Sequence, residues 1–497
     1  MNQNNISATE LFLRVRELLT LPELEPKTRN KMMHDTLILC CHEGVKETKQ
    51  AFGNLFSQVD YLCKAHGIKV ADKIAIQTMR RHSNSQEPLS SEDLKYDARA
   101  LAIFISAVFG VDVPHELNVL IPHTNRPYQK GLEINNRRIR CIVKNWDSDF
   151  IRVDIDQDAD EEEYLVQLKD EENHIDHTYL WDILKEGMQL NLLDCQVKQP
   201  IITPRLIVVE PDYLVDISSI ATCFTAFGHH PLLYLLNLMK PRANTQATLL
   251  GNFAGAALDD IINTNGKYQM IETIKTNFRE KALEFCTCPW FDAKKFYTDA
   301  NQQAFNLQQV VDILFPRTAS QAQMSAFRGE SLYDRKKAIL EPSFVCEALG
   351  IQGRVDLMTT DCKLLVEQKS GRNMNIETHQ ADPGYHSYQL EPHYVQLLLY
   401  YGVLQHNFKL SNDRVNIRLL YSKYQPQDGL MVVAYYHKLF QEAITYRNQL
   451  VAASFEIAKE GFEHALNEFT PEVLNVAGTQ DFFYNKYLKP QIEAITS

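Results

Sequence analysis

Asp356, Glu367 and Lys369 are the residues whose types and spacing have the clearest chemical consequence. The run Gly353-Arg354-Val355-Asp356-Leu357-Met358 reads as one strand and Lys363–Gln368 as the next, with Thr360-Asp361 turning between them. The period of two along a strand puts Glu367 and Lys369 on one face and sends Val366 to the other. Two carboxylates and one ammonium are therefore expected around a shared cavity. Such hard oxygen donors suit Mg²⁺ or Mn²⁺. A lysine beside them can orient or help deprotonate a water and offset charge growing on a phosphate. Asp356 and Glu367 are read as metal ligands and Lys369 as the catalytic lysine, which is the equipment phosphodiester hydrolysis needs. A surface hairpin with an incidental Glu–Lys pair is the plain alternative. It accounts less well for a lysine held beside two acids between apolar strand cores.

The elements that must position these groups can be read from periodicity. Downstream, Gln396 and Tyr400 lie four residues apart on one face of a helix expected over about Pro392 to Val403, next to the site. Further strands are expected at Val415–Tyr421 and Leu430–Tyr436, then a long helix at Leu439–Asn467. Strands alternating with helices indicate a mixed sheet flanked by helices over residues 211–497. Residues 1–125 read as a helical module, with apolar spacing over Leu11–Leu19, Thr28–Gln50, Phe52–His66, Val70–His82 and Glu92–Phe109. Between them, residues 126–210 switch to a period of two, and several short strands there suggest a small β-barrel of the OB type. Helical patterns are also expected at Phe224–Leu238, Thr248–Ile262 and Tyr268–Phe285. The fold class is thus α+β or α/β in three modules.

Composition narrows the class. With 497 residues, 45% hydrophobic and 23% charged, the chain is expected to form several globular domains. Its net charge of −12 argues against a broad basic coat for nucleic acid, though a local positive wall suffices for a cleft. No apolar run is long enough to span a bilayer, and no secretory signal opens the chain. Ten cysteines without paired spacing suggest free thiols and a cytoplasmic setting.

Gly-Arg-Val-Asp at 353–356, Glu-Gln-Lys at 367–369 and Gln-Leu-Leu-Leu-Tyr at 396–400 together resemble the three consecutive motifs of RecB-like nucleases in the PD-(D/E)XK superfamily. Residues 210–216 (Glu-Pro-Asp-Tyr-Leu-Val-Asp), 250–253, 420–422 and 446–448 extend the likeness over about residues 200–490. They are similar to the nuclease module of replication and repair flap nuclease–helicases. The resemblance implies a Mg²⁺- or Mn²⁺-dependent deoxyribonuclease acting on single-stranded DNA, ends or flaps, with Gln396 and Tyr400 supporting Asp356, Glu367 and Lys369. It implies work with a superfamily 1 helicase in repair, replication or phage defence. No Walker motif occurs here, so that helicase is expected either fused downstream in the native gene or as a separate protein.

Two departures from the family pattern carry consequences. Many relatives clamp an iron–sulfur cluster with four cysteines; no cysteine follows Cys362, and Phe227-Gly228-His229-His230-Pro231 stands where the first is expected, so no cluster is anticipated. Many also place a metal-binding histidine four residues after the glycine corresponding to Gly251, where this chain has Gly255. Glu341 is then the leading substitute ligand, with Asp259 second. Arg354, Arg372, His393 and Arg447 are candidates for nucleic-acid phosphate, His393 by virtue of its place at the start of the motif helix. The acidic run from Asp154 to Glu163 reads as a solvated hairpin loop. Two rival functions stay open at this level: a nuclease fold kept for gripping DNA or docking a helicase, and a scaffolding subunit that uses the N-terminal helices.

Overall fold

The computed structural model describes residues 6–21, 25–48, 50–85, 88–126, 137–156, 163–239, 244–410, 415–461, 463 and 480–496. It is a mixed α/β protein with several sheets. The chain divides into two compact units, Met1–Tyr213 with Ser454–Phe462, and Leu214–Ala453 with Glu463–Ser497.

In the first unit, the expected amphipathic segments form helices Ala8–Thr20, Pro26–Gly44, Leu55–Ala65, Val70–Ser83 and Ser91–Phe109. Their ends follow local chemistry: the Ser7 and Ser90 hydroxyls accept the backbone N–H groups of Glu10 and Asp93. Gly110 ends the last helix at φ +65°, a conformation glycine takes without a Cβ penalty. Leu11, Val15, Leu37, Val59, Ile76, Leu101 and Phe104 form one apolar core. Residues 138–209 have a core of their own, built on Ile139, Val153, Tyr164, Val166, Leu190 and Ile207.

That second core lies on a seven-stranded sheet, and the expected barrel is not found. The strand order is Gln196–Lys198, Ile201–Thr203, Tyr164–Gln167, Phe150–Ile155, Arg138–Trp146, Gln189–Leu193, Leu206–Val209. Closure would require the first and last of these to pair. Instead Gln196–Lys198 folds back on Ile201–Thr203, and Leu206–Val209 pairs with Gln189–Leu193 at the opposite edge. The start of the acidic run is also not a free loop. Asp156 binds Arg80 at 2.6 Å, and Asp154 binds Lys144 at 2.6 Å and Lys73 at 3.4 Å. Residues 157–162 of that run lie outside the described residues.

The second unit centres on a five-stranded sheet ordered Ala338–Leu340, Leu357–Thr359, Leu364–Lys369, Asn416–Tyr421, Leu430–Val432. Leu364–Lys369 runs antiparallel to Leu357–Thr359 and parallel to Asn416–Tyr421. Parallel neighbours need a crossover, and the helix Glu391–Phe408 lies in that connection. Helices Gln246–Asn263 and Ala293–Leu314 share an apolar core with this sheet through Phe253, Ala257, Leu307, Val310, Leu357, Val366 and Leu420. A smaller sheet joins Val215–Asp216, Ile351–Arg354 and Ser343–Cys346.

Three local expectations are corrected. The single strand through Gly353–Met358 is two strands, Ile351–Arg354 and Leu357–Thr359, in different sheets. The helix expected over Phe224–Leu238 begins as a hairpin, Phe224–Thr225 with Gly228–His229, and becomes helical only at Leu232–Met239. Gly228 turns that hairpin at φ +135°, which an L side chain resists. The long C-terminal helix spans His437–Glu460 and not Leu439–Asn467: Gly461, at φ +90°, lies beyond its end, and residues 462 and 464–467 of the expected range lie outside the described residues. No described helix is long and apolar enough to cross a membrane.

Candidate active site

The change of sheet at Val355-Asp356 creates the site. Asp356 belongs to neither strand, and its backbone carbonyl accepts the Glu341 N–H at 3.0 Å. Its Oδ2 accepts the Gln368 N–H at 2.6 Å, which draws the carboxylate against the neighbouring strand beside Glu367. Burial holds the Asp356 carboxyl above the ordinary carboxylate range, an effect opposed by that N–H and by Lys369.

Glu367 is 4% exposed. Lys369 Nζ lies 2.8 Å from Glu367 Oε1 and donates to Gln396 Oε1 at 2.6 Å. The motif helix therefore holds the lysine directly. Glu367 Oε2 is buried and has no hydrogen-bond partner. Burial, reinforced by the charge of Asp356, pushes Glu367 up to about 8 despite Lys369. A buried carboxylate oxygen without a donor is costly, and such an oxygen beside a second acid fits the donor set of a divalent cation.

Tyr400 acts on the frame. Its hydroxyl donates to the Arg354 carbonyl at 2.7 Å, two residues before Asp356. A Cβ added at Gly353 would lie 2.9 Å from the Tyr400 ring, so glycine permits the helix to approach the strand. Glu341 sits at φ +48° and its carboxylate pairs with Arg354 at 3.1 Å. Both side chains are largely exposed.

Asp259, ranked second by sequence, also belongs to this cluster. It shares a face of the Gln246–Asn263 helix with Gly251 and Gly255, since residues four apart stack along a helix. A Cβ at Gly251 would come within 3.2 Å of Ser370 Oγ, next to Lys369, whereas one at Gly255 would meet nothing within 4 Å. Burial and the charges of Glu341 and Asp356 push Asp259 up to about 7. The spacing of Gly251, Gly255 and Asp259 was the signal for it. Asp356 thus stands electrostatically beside both Asp259 and Glu367, although no three His, Cys, Asp or Glu side chains among the described residues form a finished metal cage.

The remaining candidates part company. His393 bonds Tyr421 and feels Lys369. Arg372 is exposed and pairs with Glu377. Arg447 does not fit phosphate contact: it is fully buried and its Nε donates to the Gly350 carbonyl at 3.2 Å, bracing the strand that leads to Asp356. Sequence reading missed a second polar cluster, in which His229 Nδ1 lies 2.6 Å from Glu442 and Nε2 2.5 Å from Glu391, while Tyr385 donates to Glu391. Nothing local in the sequence pairs residues so far apart.

No family model matches the chain, and no curated protein matches it.

Proposed function

We propose that this chain is a divalent-cation-dependent nuclease that hydrolyses phosphodiester bonds in single-stranded DNA, its ends or flaps. The observation that carries the proposal is the Lys369 ammonium clamped between Glu367 and Gln396, beside a buried Glu367 oxygen that lacks a partner. Asp356 and Glu367, with Glu341 or Asp259, are the residues that would hold Mg²⁺ or Mn²⁺. Such an ion, when bound, offsets phosphate charge and makes a water more acidic. Lys369 orients the attacking water and balances the negative charge that develops on the phosphate. Gln396 fixes the direction of the ammonium, and Tyr400 fixes the backbone from which Asp356 projects. Arg354 and Arg372, exposed near the chain segments that bear these groups, are suited to backbone phosphates.

The ordered motifs and the crossover helix between parallel strands support a RecB-like PD-(D/E)XK core. Work with a helicase follows from the sequence resemblance. Ten free cysteines support a reducing, cytoplasmic setting. Calorimetric titration with Mn²⁺ tests the metal part. The parent is expected to bind at a site that Asp356→Ala weakens about tenfold or more; equal binding by both proteins would remove Asp356 from the site, and poor Mn²⁺ binding by the parent would favour a fold used for gripping rather than cutting.

A further inference from the structure

His393 lies in the first turn of the Glu391–Phe408 helix, one turn before Gln396. Its Nδ1 is 3.0 Å from Tyr421 Oη. Tyr421 is fully buried and pairs in register with Lys369 across the parallel strands. The Leu390 N–H donates to Tyr421 Oη at 3.0 Å, and the Asn373 side chain also bonds it. With its oxygen so engaged, the tyrosine directs its own proton to an acceptor, and His393 Nδ1 is placed to be that acceptor. A ring that accepts at Nδ1 carries its proton on Nε2. Among the described residues Nε2 has no hydrogen-bond partner, and the ring is partly exposed.

We propose that His393 orients the substrate phosphate at the Lys369 site by offering an uncharged Nε2–H to a non-bridging phosphate oxygen. The inference rests on the nuclease reading above. Burial and the nearby Lys369 charge push His393 down to about 3, so the ring stays uncharged across the working range. An uncharged donor differs in consequence from a second cation. It bonds a phosphate oxygen without being drawn onto Glu367 or Asp356, and it leaves Lys369 as the group that balances charge. Tyr421 acts on the site through this ring, by fixing which nitrogen bears the proton.

Two measurements decide it. In protein labelled with ¹⁵N-histidine, the His393 ring is expected to show the Nε2–H form from pH 5 to pH 8. Its Nε2 signal is expected to move when a ten-residue oligothymidylate is added with Ca²⁺. In cleavage of labelled single-stranded DNA with Mn²⁺, His393→Ala is expected to lower kcat/KM about 10²-fold, the scale of losing one aimed donor. Tyr421→Phe should cost less, and His393→Gln should recover part of the loss through its amide N–H. Titration of His393 near 6.5, a proton on Nδ1, an unmoved Nε2 signal, or parental cutting by His393→Ala would each overturn the proposal. A parent that does not cut at all would sink the nuclease reading instead, while the oligonucleotide response would still decide the role of His393.

Discussion

Replacing Glu367 by Gln isolates the electrostatic cost stored in the site. In the metal-free protein this carboxyl lies at about 8, against an ordinary 4.5, because it is buried beside Asp356 with one oxygen unpartnered. A folded-state value raised above the unfolded one means that the linked stability is fully present below 4.5 and is lost as pH rises through 8. At about 1.4 kcal/mol for each pH unit, the span from pH 5 to pH 8 amounts to roughly 4 kcal/mol. Glu367→Gln does not titrate, so its stability relative to the parent should rise by that amount over the span in EDTA, whatever constant offset the amide introduces. Urea unfolding in EDTA at pH 5, 6, 7 and 8 measures it, using the transition that the substitution shifts. Saturating Mn²⁺ should then favour the parent and not the variant, by about 2.7 kcal/mol at a hundredfold excess over Kd. A parent–variant difference that stays constant with pH, within about 1 kcal/mol, would refute the buried-charge account of Glu367.

Other perturbations have similarly defined outcomes. Gly402→Ala drives a methyl into the Phe440 ring where two helices meet, and should cost about 1–3 kcal/mol by urea unfolding despite the gain in helix propensity. His229, held between Glu391 and Glu442, is raised to about 9 by those two carboxylates against the opposing effect of burial. Its stabilisation is present below 6.5 and lost as pH rises through 9, so the deficit of His229→Gln should shrink over that interval. The change should be about 1–2 kcal/mol once solvent screening of the partly exposed ring is allowed for. Arg447→Met should destabilise the fold by about 1 kcal/mol, through loss of one of the two donors to the Gly350 carbonyl, which keeps the Val215 N–H, yet leave the salt dependence of single-stranded DNA binding unchanged. A reduced salt slope would restore Arg447 as a phosphate contact.

How much of this was legible from sequence depended on range. The pairing of Glu367 with Lys369 follows from a strand's period of two, and the facing of Gln396 and Tyr400 from a helix's period of four; both are local rules, and the side chains meet as those rules require. The helices of the first unit were readable for the same reason. The break at Val355-Asp356 was not, because a continuous strand-like stretch does not reveal that its two halves join different sheets. Barrel closure depended equally on which edges meet, a non-local matter. Arg447 misled because an arginine suggests surface charge, whereas its position inside an apolar helix face, among Ile444, Leu450 and Val451, forecast burial. Asp259 was visible as the third member of a stacked row after Gly251 and Gly255, but only folding shows that the row faces Asp356.

The central claim is that Lys369 and its carboxylates cut DNA with a divalent cation. End-labelled single-stranded DNA incubated with parent protein and Mn²⁺ should be shortened, and EDTA should abolish the reaction. Lys369→Ala, checked for parental folding by circular dichroism, should reduce the rate at least 10²-fold. Cleavage by Lys369→Ala equal to that of the parent, or parental cleavage that persists in EDTA, would contradict the account.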